Sequence, residues 1–310
     1  MSNKAPRHFL SLTDLQPEEV QRTVERGLAL KNGAVSSALS GMSAALLFEK
    51  PSLRTKLSFH VGVTRLGGHP IYFSPNEVGL GTREPVRDVA AVVSGMVSVA
   101  IIRTFAHATL EEFAAEATIP VVNALTDWEH PCQALADLLT ILECRGSLQG
   151  VNVAYVGDGN NVAASLSLAL ASVGGNLSIA SPEDYALPWE FVERVGALND
   201  ETGGTLRLVK DPHDAVRGAE FVYTDVWTSM GQEAEAARRL EDFKGYQVTP
   251  ELLDEAGTGV RFMHDMPAHP GEEVSEGLLR DSRSVVFRQA ANRLYAQMGL
   301  LDTLFAPGQR

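Results

Sequence analysis

Cysteine is nearly absent from this sequence of 310 residues, which contains only Cys132 and Cys144. Two cysteines cannot form the set of disulfides that stabilises small secreted domains. The first ten residues lack the apolar stretch of a signal peptide, and no hydrophobic run approaches the length of a membrane span. These absences predict a cytoplasmic protein that does not interact with membranes.

Positive charge is also scarce, because 26 lysines and arginines stand against 39 aspartates and glutamates, for a net charge of −13. Such a surface repels the phosphates of nucleic acids and anionic lipids, so we expect no nucleic-acid partner. A local basic pocket for a small anion remains compatible with this balance. The chain is long enough, and with 45% hydrophobic residues apolar enough, for two globular domains.

Short apolar runs alternate with amphipathic stretches along the whole chain. Strands are predicted at 44–48, 69–73, 99–102, 120–123, 151–156, 179–180, 206–209, 221–223 and 260–263. Helices are predicted between several of them, at 55–66, 110–117 and 131–145 among others. This alternation indicates an α/β protein with two doubly wound domains, each with a central, mostly parallel sheet flanked by helices.

The second alternation restarts after the glycine-bounded segment 146–150, which is typical of a hinge. We place the first domain at residues 1–140 and the second at residues 141–289. A last helix has no strand after it, so the segment 290–310 is expected to pack back on the first domain.

Polar clusters follow three predicted strands of the first domain. They are Ser52-Leu53-Arg54-Thr55-Lys56, Arg103-Thr104-Phe105-Ala106-His107 and His130-Pro131-Cys132-Gln133. The first cluster lies where a strand turns into a helix, whose free N–H groups and positive dipole end favour a phosphate. Arg54 adds a fork of donors. A capped helix with a surface arginine would explain this cluster alone, but three clusters at successive strand ends favour a binding site.

Two of these clusters resemble motifs of the aspartate/ornithine carbamoyltransferase family. Residues 48–56 resemble its phosphate loop, usually Ser-Thr-Arg-Thr-Arg, and residues 130–133 resemble its His-Pro-x-Gln motif. The match extends from about residue 8 to about residue 303. The resemblance implies no cofactor, a homotrimer or a multiple of trimers, and carbamoyl phosphate as a substrate. It assigns carbamoyl phosphate binding to Ser52, Leu53, Arg54, Thr55, Arg103, His130, Gln133 and Arg293.

The segment Gly157-Asp158-Gly159-Asn160-Asn161 follows a predicted strand and opens a helix. It begins like a dinucleotide-binding fingerprint, but Val162 stands where the third glycine would be needed. We therefore do not predict a nicotinamide cofactor. An asparagine at this helix start suits the carboxylate of an amino acid better, and we assign that role to Asn161.

The segment 225–231 resembles the Asp-x-x-x-Ser-Met-Gly loop of the family members that carbamoylate ornithine. Asp225 and Ser229 can bind the α-ammonium of ornithine, while Asn161 and the backbone of Met230 can bind its α-carboxylate. The resemblance therefore implies transfer of a carbamoyl group from carbamoyl phosphate to ornithine, with citrulline as product, in arginine metabolism. Two alternatives remain open: a carbamoyltransferase for another amine, and a non-catalytic regulatory relative.

The chain departs from the family at His264-Asp265-Met266-Pro267, where the usual motif is His-Cys-Leu-Pro. The resemblance places Asp265 and Met266 beside the side-chain amine of ornithine. A carboxylate there raises the pKa of the amine and can also accept its proton. The catalytic residues implied by the resemblance are Arg103, His130, Asp265 and Arg293.

Lesser departures are Leu53 for a threonine, Lys56 for an arginine, and Gly79 where relatives have a glutamine that reaches the neighbouring subunit. One segment also gathers potential metal ligands, namely His264, Asp265, His269, Glu272 and Glu273. Two prolines, at 267 and 270, break any helical spacing that would align its histidines. We therefore predict no metal site.

Overall fold

The computed structural model describes residues 6–229 and 231–305. The described residues up to Leu139 and those from Ala291 onward form one compact unit, and Thr140–Ala290 form the other. No helix among these residues is long and apolar enough to cross a membrane.

The strands and helices follow the predicted alternation. The strands are β1 Ser43–Phe48, β2 His69–Phe73, β3 Val99–Arg103, β4 Val121–Leu125, β5 Asn152–Val156, β6 Asn176–Ala180, β7 Thr205–Val209, β8 Phe221–Thr224 and β9 Arg261–His264. The helices are α1 Pro17–Lys31, α2 Leu53–Arg65, α3 Pro75–Val78, α4 Val86–Ser94, α5 His107–Glu116, α6 Pro131–Arg145, α7 Asn161–Ser172, α8 Trp189–Thr202, α9 Pro212–Val216, α10 Ala236–Asp242, α11 Pro250–Ala256 and α12 Val286–Phe305.

Each unit is built on one sheet in which every neighbouring pair of these strands is parallel. The strand order is β2-β1-β3-β4 in the first unit and β7-β6-β5-β8-β9 in the second. The order reverses direction between β1 and β3, and again between β5 and β8. Ligands of open parallel sheets bind beyond the carboxyl ends of the strands at such reversals. The predicted fold class is confirmed.

Strands β3 and β4 are apolar along most of their length because they are buried on both faces. All residues of β3 and β4 are buried, as parallel strands covered by helices require. Asn123 is the polar exception in β4, and its side-chain amide donates a 2.8 Å hydrogen bond to the Leu10 carbonyl. This bond satisfies a buried donor and fixes the N-terminal segment beside the sheet.

The C-terminal helix α12 packs closely against α1. A Cβ atom at Gly27 would lie 2.8 Å from the carbonyl oxygen of Tyr295, and one at Gly299 would lie 2.5 Å from that of Thr23. Only glycine allows two backbones to approach this closely. The packing explains why α12 from Ala291 onward is part of the first unit, and it brings Arg293 to the N-terminus of α2.

Candidate active site

The N-terminus of α2 lies at the carboxyl end of β1. The Ser52 hydroxyl accepts a hydrogen bond from the Thr55 backbone N–H at 3.2 Å and donates to the Thr55 hydroxyl at 2.9 Å. Leu53 is 79% exposed, and its N–H belongs to the first turn, where no intrahelical acceptor exists. This helix end therefore presents backbone donors and the positive end of a dipole to an anion.

Two buried arginines complete this cluster from other elements. Arg293 of α12 is 2% exposed and donates through Nη2 to the Thr55 hydroxyl. Arg103 stands at the last position of β3 and is buried. Arg54, the second residue of α2, is half-buried. Guanidinium groups in these positions offer planar forks of donors that match a phosphate.

Lys50 is a cation of this cluster that sequence reasoning did not single out. It is buried at the end of β1, with its ammonium 4.3 Å from the centroid of the Phe105 ring. Burial, and secondarily the charge of Arg103, lowers the pKa of Lys50. Its place in the segment before Ser52 was visible in the sequence, but its burial was not. This cluster thus concentrates positive charge in a chain whose net charge is negative.

His130 immediately precedes α6 and is completely buried. Burial lowers the pKa of His130 well below the ordinary value for histidine, and the charges of Arg293 and Arg103 lower it further. The imidazole is therefore neutral at pH 7 and carries one N–H, which it can donate to a carbonyl oxygen. Five predicted residues come together here: Ser52, Thr55, Arg103, His130 and Arg293.

Gln133 lies on the first turn of α6, and 1% of it is exposed. Its Nε2 donates a 2.8 Å hydrogen bond to Oδ1 of Asp137, one helical turn further along. Its Oε1 is buried and makes no hydrogen bond with any described residue. A buried acceptor without a partner is costly, so this oxygen is suited to accept a hydrogen bond from a bound molecule.

In the second unit, the start of α7 meets the end of β8. Asn160 caps α7, because its Oδ1 accepts from the backbone N–H groups of Val162 at 2.9 Å and Ala163 at 3.2 Å. Its Nδ2 donates to Oδ2 of Asp225 at 2.8 Å. The predicted ligand Asn161 is the first residue of α7 and is half-buried. Sequence reasoning missed Asn160, whose position before a helix was the available signal.

Asp225 is an acid in an environment that disfavours negative charge. Burial raises the pKa of Asp225 well above its ordinary value, and the charge of Asp265 raises it further, although the hydrogen bond from Asn160 acts in the opposite direction. Asp225 and Asp265 therefore lie close enough to repel one another electrostatically. A cation between them would relieve this repulsion, so the pair favours an ammonium group.

The glycine before Asn160 has a packing role. A Cβ atom at Gly159 would lie 2.4 Å from the backbone nitrogen of Leu187 and 2.5 Å from the carbonyl carbon of Ala186. Gly159 is thus required by the close approach of another segment, without reference to a dinucleotide. This observation agrees with the incomplete glycine pattern at Val162.

A buried ion pair supports the segment after β8. Arg239 of α10 donates to Asp158 at 2.7 Å and to the carbonyl of Trp227 at 2.8 Å. Burial raises the pKa of Asp158, and the hydrogen bond and charge of Arg239 oppose that shift. Arg239 therefore ties the end of β5 to the segment that leads to Ser229. Sequence reasoning missed Arg239, because nothing in its local pattern indicated burial.

Ser229 is half-buried, and its backbone N–H donates to Oε1 of Gln232 at 3.0 Å. Its carbonyl accepts from the backbone N–H of Gln232 at 3.0 Å. These two bonds connect Ser229 to Gln232. The predicted ligand Met230 lies outside the described residues.

The segment after β9 is held by His264, which is fully buried. The Nδ1 atom of His264 accepts from the Met266 backbone N–H at 2.8 Å, so the proton is on Nε2, which donates to Oε1 of Glu273 at 3.1 Å. Met266 has a left-handed φ of 69°, which is unfavourable for residues other than glycine. The hydrogen bond to His264 helps to stabilise this conformation, and Asp265 lies between the two bonded residues.

The departures at Lys56 and Gly79 have local structural explanations. The Lys56 ammonium lies 3.5 Å from the centroid of the Tyr72 ring, a cation–π contact. Gly79 ends α3 with a left-handed φ of 50°, a conformation that costs glycine little.

Of the suspected metal ligands, His269, Glu272 and Glu273 lie near one another. Glu273 already accepts hydrogen bonds from His264 and from the backbone of His269. The other two are exposed or half-buried, as surface charges often are. The prediction that this segment holds no metal stays a prediction.

Comparison with known proteins assigns both parts of the chain to domain models of one family. The family model described as the aspartate/ornithine carbamoyltransferase carbamoyl-P binding domain matches residues 7–143. The model described as the Asp/Orn binding domain of the same family matches residues 149–304.

Individual relatives match over nearly the whole chain. The anabolic ornithine carbamoyltransferase of Pseudomonas aeruginosa is 50% identical over 302 residues, which cover 96% of this chain and 97% of the relative. The ornithine carbamoyltransferase of Anoxybacillus flavithermus is 47% identical, with 96% of both chains covered. The structure of ornithine carbamoyltransferase from Pyrococcus furiosus superposes with a TM-score of 0.93 at 41% identity, covering 98% of both chains.

Proposed function

The chain belongs to the aspartate/ornithine carbamoyltransferase family, and on this premise we propose that it transfers a carbamoyl group from carbamoyl phosphate to ornithine. The products are citrulline and phosphate. The observation that carries the choice of ornithine is the mutually repelling acid pair in the second unit, formed by the buried Asp225 and the half-buried Asp265. Such a pair favours an ammonium group and disfavours the second carboxylate of aspartate.

Residues 1–140 with the C-terminal segment 290–310 bind carbamoyl phosphate in this proposal, and residues 141–289 bind ornithine. The descriptions of the two matching family models support this division. The N-terminus of α2, with Ser52, Leu53, Arg54 and Thr55, receives the phosphate together with Arg103 and Arg293. The contacts between Ser52, Thr55 and Arg293 support this assignment.

The carbamoyl group binds to His130 and Gln133. The lowered pKa of His130 keeps its imidazole neutral, so one N–H can donate to the carbonyl oxygen and polarise the bond. Arg103 and Arg293, which lie near His130, supply positive charge for the oxyanion and for the leaving phosphate. Donors that are fixed before the reaction stabilise developing charge at little cost of reorganisation.

Ornithine binds to the second unit through its two α-substituents. Asp225 and Ser229 bind the α-ammonium, while Asn161 and the backbone of Met230 bind the α-carboxylate. The hydrogen bond from Asn160 to Asp225 supports this arrangement, because it fixes the carboxylate beside the start of α7. Asp265 and Met266 are assigned to the side-chain amine.

The reaction is a direct transfer without a covalent enzyme intermediate. The neutral side-chain amine of ornithine attacks the carbonyl carbon, and a carbon–nitrogen bond forms. The bond from the carbonyl carbon to the phosphate oxygen then breaks, and the amine loses one proton, for which Asp265 is an available acceptor. This balance requires no cofactor.

We further propose that the protein acts in arginine biosynthesis in the cytoplasm, as a homotrimer or a multiple of trimers. The anabolic relative from Pseudomonas aeruginosa supports the biosynthetic role. Sedimentation of the purified protein tests the oligomer, since a monomer or dimer at micromolar concentration would contradict it.

The activity is tested by mixing the purified protein with carbamoyl phosphate and, in parallel, ornithine, putrescine, N-acetylornithine or aspartate. We expect citrulline from ornithine and little product from the other three. Putrescine lacks the α-carboxylate, N-acetylornithine lacks the free α-ammonium, and aspartate carries a second carboxylate that the acid pair repels. Product from another amine in preference to ornithine would support the first alternative. Binding of carbamoyl phosphate without turnover of any acceptor would support a non-catalytic relative.

Replacing Asp265 with cysteine is expected to move the pH optimum in the acid direction, so the native optimum is the more alkaline one. The adjacent carboxylate stabilises the ammonium form of the substrate amine and raises the pKa of that amine, and only the free amine attacks. The measurement is kcat/KM for ornithine between pH 6 and 10. Asp265→Asn serves as the matched variant, because it removes the charge without adding a thiol. An unchanged or alkaline-shifted optimum in both variants would contradict this role.

A further inference from the structure

We propose that Asp137 is a positioning residue that makes the enzyme selective for a carbamoyl group over groups that lack an N–H donor. The proposal rests on the proposed function, since it concerns how Gln133 recognises the donor substrate. Asp137 acts through the 2.8 Å hydrogen bond that it accepts from Nε2 of Gln133.

Gln133 and Asp137 differ in the hydrogen bonds that they can form. A glutamine amide has one acceptor end and one donor end of nearly the same shape, so its surroundings decide which end faces a ligand. A carboxylate oxygen accepts hydrogen bonds. Oδ1 of Asp137 accepts from Nε2 of Gln133, so the NH2 end of Gln133 faces Asp137. The opposite end, the oxygen, is then left to face away from Asp137.

Burial makes this choice strict. Asp137 is fully buried and Gln133 is almost fully buried, so water has little access to form hydrogen bonds with a reversed Gln133 amide. A reversed amide would place its oxygen against the carboxylate of Asp137, and the two acceptors would repel one another. Oε1 of Gln133 has no hydrogen-bond partner among the described residues, so the orientation leaves one buried acceptor available.

The available acceptor fits the NH2 of a carbamoyl group. It does not fit a methyl group, which has a similar size and no donor. A site that leaves a buried polar atom unpaired discriminates strongly against an analogue that lacks the matching hydrogen. Helix geometry keeps the pair in register, because residues separated by four positions lie on the same face of α6. Asp137 thus controls the selectivity without touching the substrate.

Two stable phosphonates test this inference. In both, a methylene group replaces the bridging oxygen; phosphonoacetamide keeps the NH2 group, and 2-oxopropylphosphonate has a methyl group in its place. Calorimetric titration gives the dissociation constant of each for the native enzyme, for Asp137→Asn and for Asp137→Ala. We expect the native enzyme to prefer the amide by about tenfold or more.

In Asp137→Ala the affinity for phosphonoacetamide should fall about tenfold, while that for 2-oxopropylphosphonate stays unchanged. Asp137→Asn keeps the volume of the side chain and one acceptor, but it also permits the reversed amide of Gln133. Its loss of affinity for phosphonoacetamide should therefore be smaller than that of Asp137→Ala. An unchanged affinity for 2-oxopropylphosphonate also shows that the phosphate site is intact. An equal loss of affinity for both ligands would indicate a merely structural role and overturn the proposal. An unchanged preference of Asp137→Ala for phosphonoacetamide would overturn it as well.

A double-mutant cycle with Gln133→Ala distinguishes positioning from an independent contribution. If Asp137 acts through Gln133, then Gln133→Ala should cost the Asp137→Ala enzyme almost no further affinity for phosphonoacetamide. Additive losses would overturn the proposal. Citrulline formation by the native enzyme is measured separately, so a failure of the proposed function would be recognised independently of these variants.

Discussion

Replacing Asp225 with asparagine is expected to lower kcat/KM for ornithine by about a thousandfold, because the ammonium of the substrate loses its buried counter-charge. The same substitution is expected to stabilise the folded protein at neutral pH. Burial and the charge of Asp265 raise the pKa of Asp225, so its ionised form opposes folding. Asparagine has nearly the same shape, can still accept the hydrogen bond from Asn160, and does not ionise.

The stabilisation has a definite pH dependence. Because the pKa is higher in the folded than in the unfolded protein, unfolding releases a proton from Asp225 over the interval between the two values. The native protein should therefore lose stability relative to the variant as pH rises above the ordinary range for aspartate. The difference should disappear in acid, where both states are protonated. Thermal unfolding of both proteins from pH 4 to pH 9 measures it.

The matched control is Asp200→Asn, since Asp200 is exposed on α8. This variant should keep native activity and show no gain in stability. A fall in stability of Asp225→Asn at pH 7, or activity within tenfold of the native enzyme, would show that Asp225 is a structural residue.

Replacing Arg54 with methionine is expected to raise the KM for carbamoyl phosphate and lower kcat/KM by about a hundredfold, as loss of a charged donor to a phosphoryl group does. Methionine keeps much of the apolar stem of the side chain and favours the helix, so the fold should be retained. The KM for ornithine should change little. Initial rates at varied concentrations of both substrates separate these effects.

Arg65→Met provides the comparison within the same helix. Arg65 is exposed in the last turn of α2, away from the N-terminus that receives the phosphate. The Arg65→Met variant loses the same charge as Arg54→Met, so it controls for long-range electrostatic attraction of the anionic substrate. An equal loss of kcat/KM for carbamoyl phosphate in the two variants would mean that Arg54 acts only through the net charge of the protein.

The sequence alone determined the alternation of strands and helices and the motifs at the strand ends. Apolar runs such as the one at 99–102 are long enough and bounded well enough to be read as buried strands, and β3 extends it by one residue. The motifs at 52–56 and 130–133 are local in sequence, so they could be recognised without a structure. Helices α3, α4, α8, α9, α10 and α11 were not predicted. The amphipathic pattern of α4 was an available signal, since its buried residues Val86 and Ala90 are four positions apart.

Only the tertiary structure decided which charges are buried and which side chains meet. Arg293 is about 240 residues from Thr55 in sequence, and their contact depends on the packing of α12 on α1. The orientation of Gln133, the neutral state of His130 and the repulsion between Asp225 and Asp265 all follow from burial. Burial and long-range contacts arise from the whole fold, whereas a motif records only the residues next to one another along the chain.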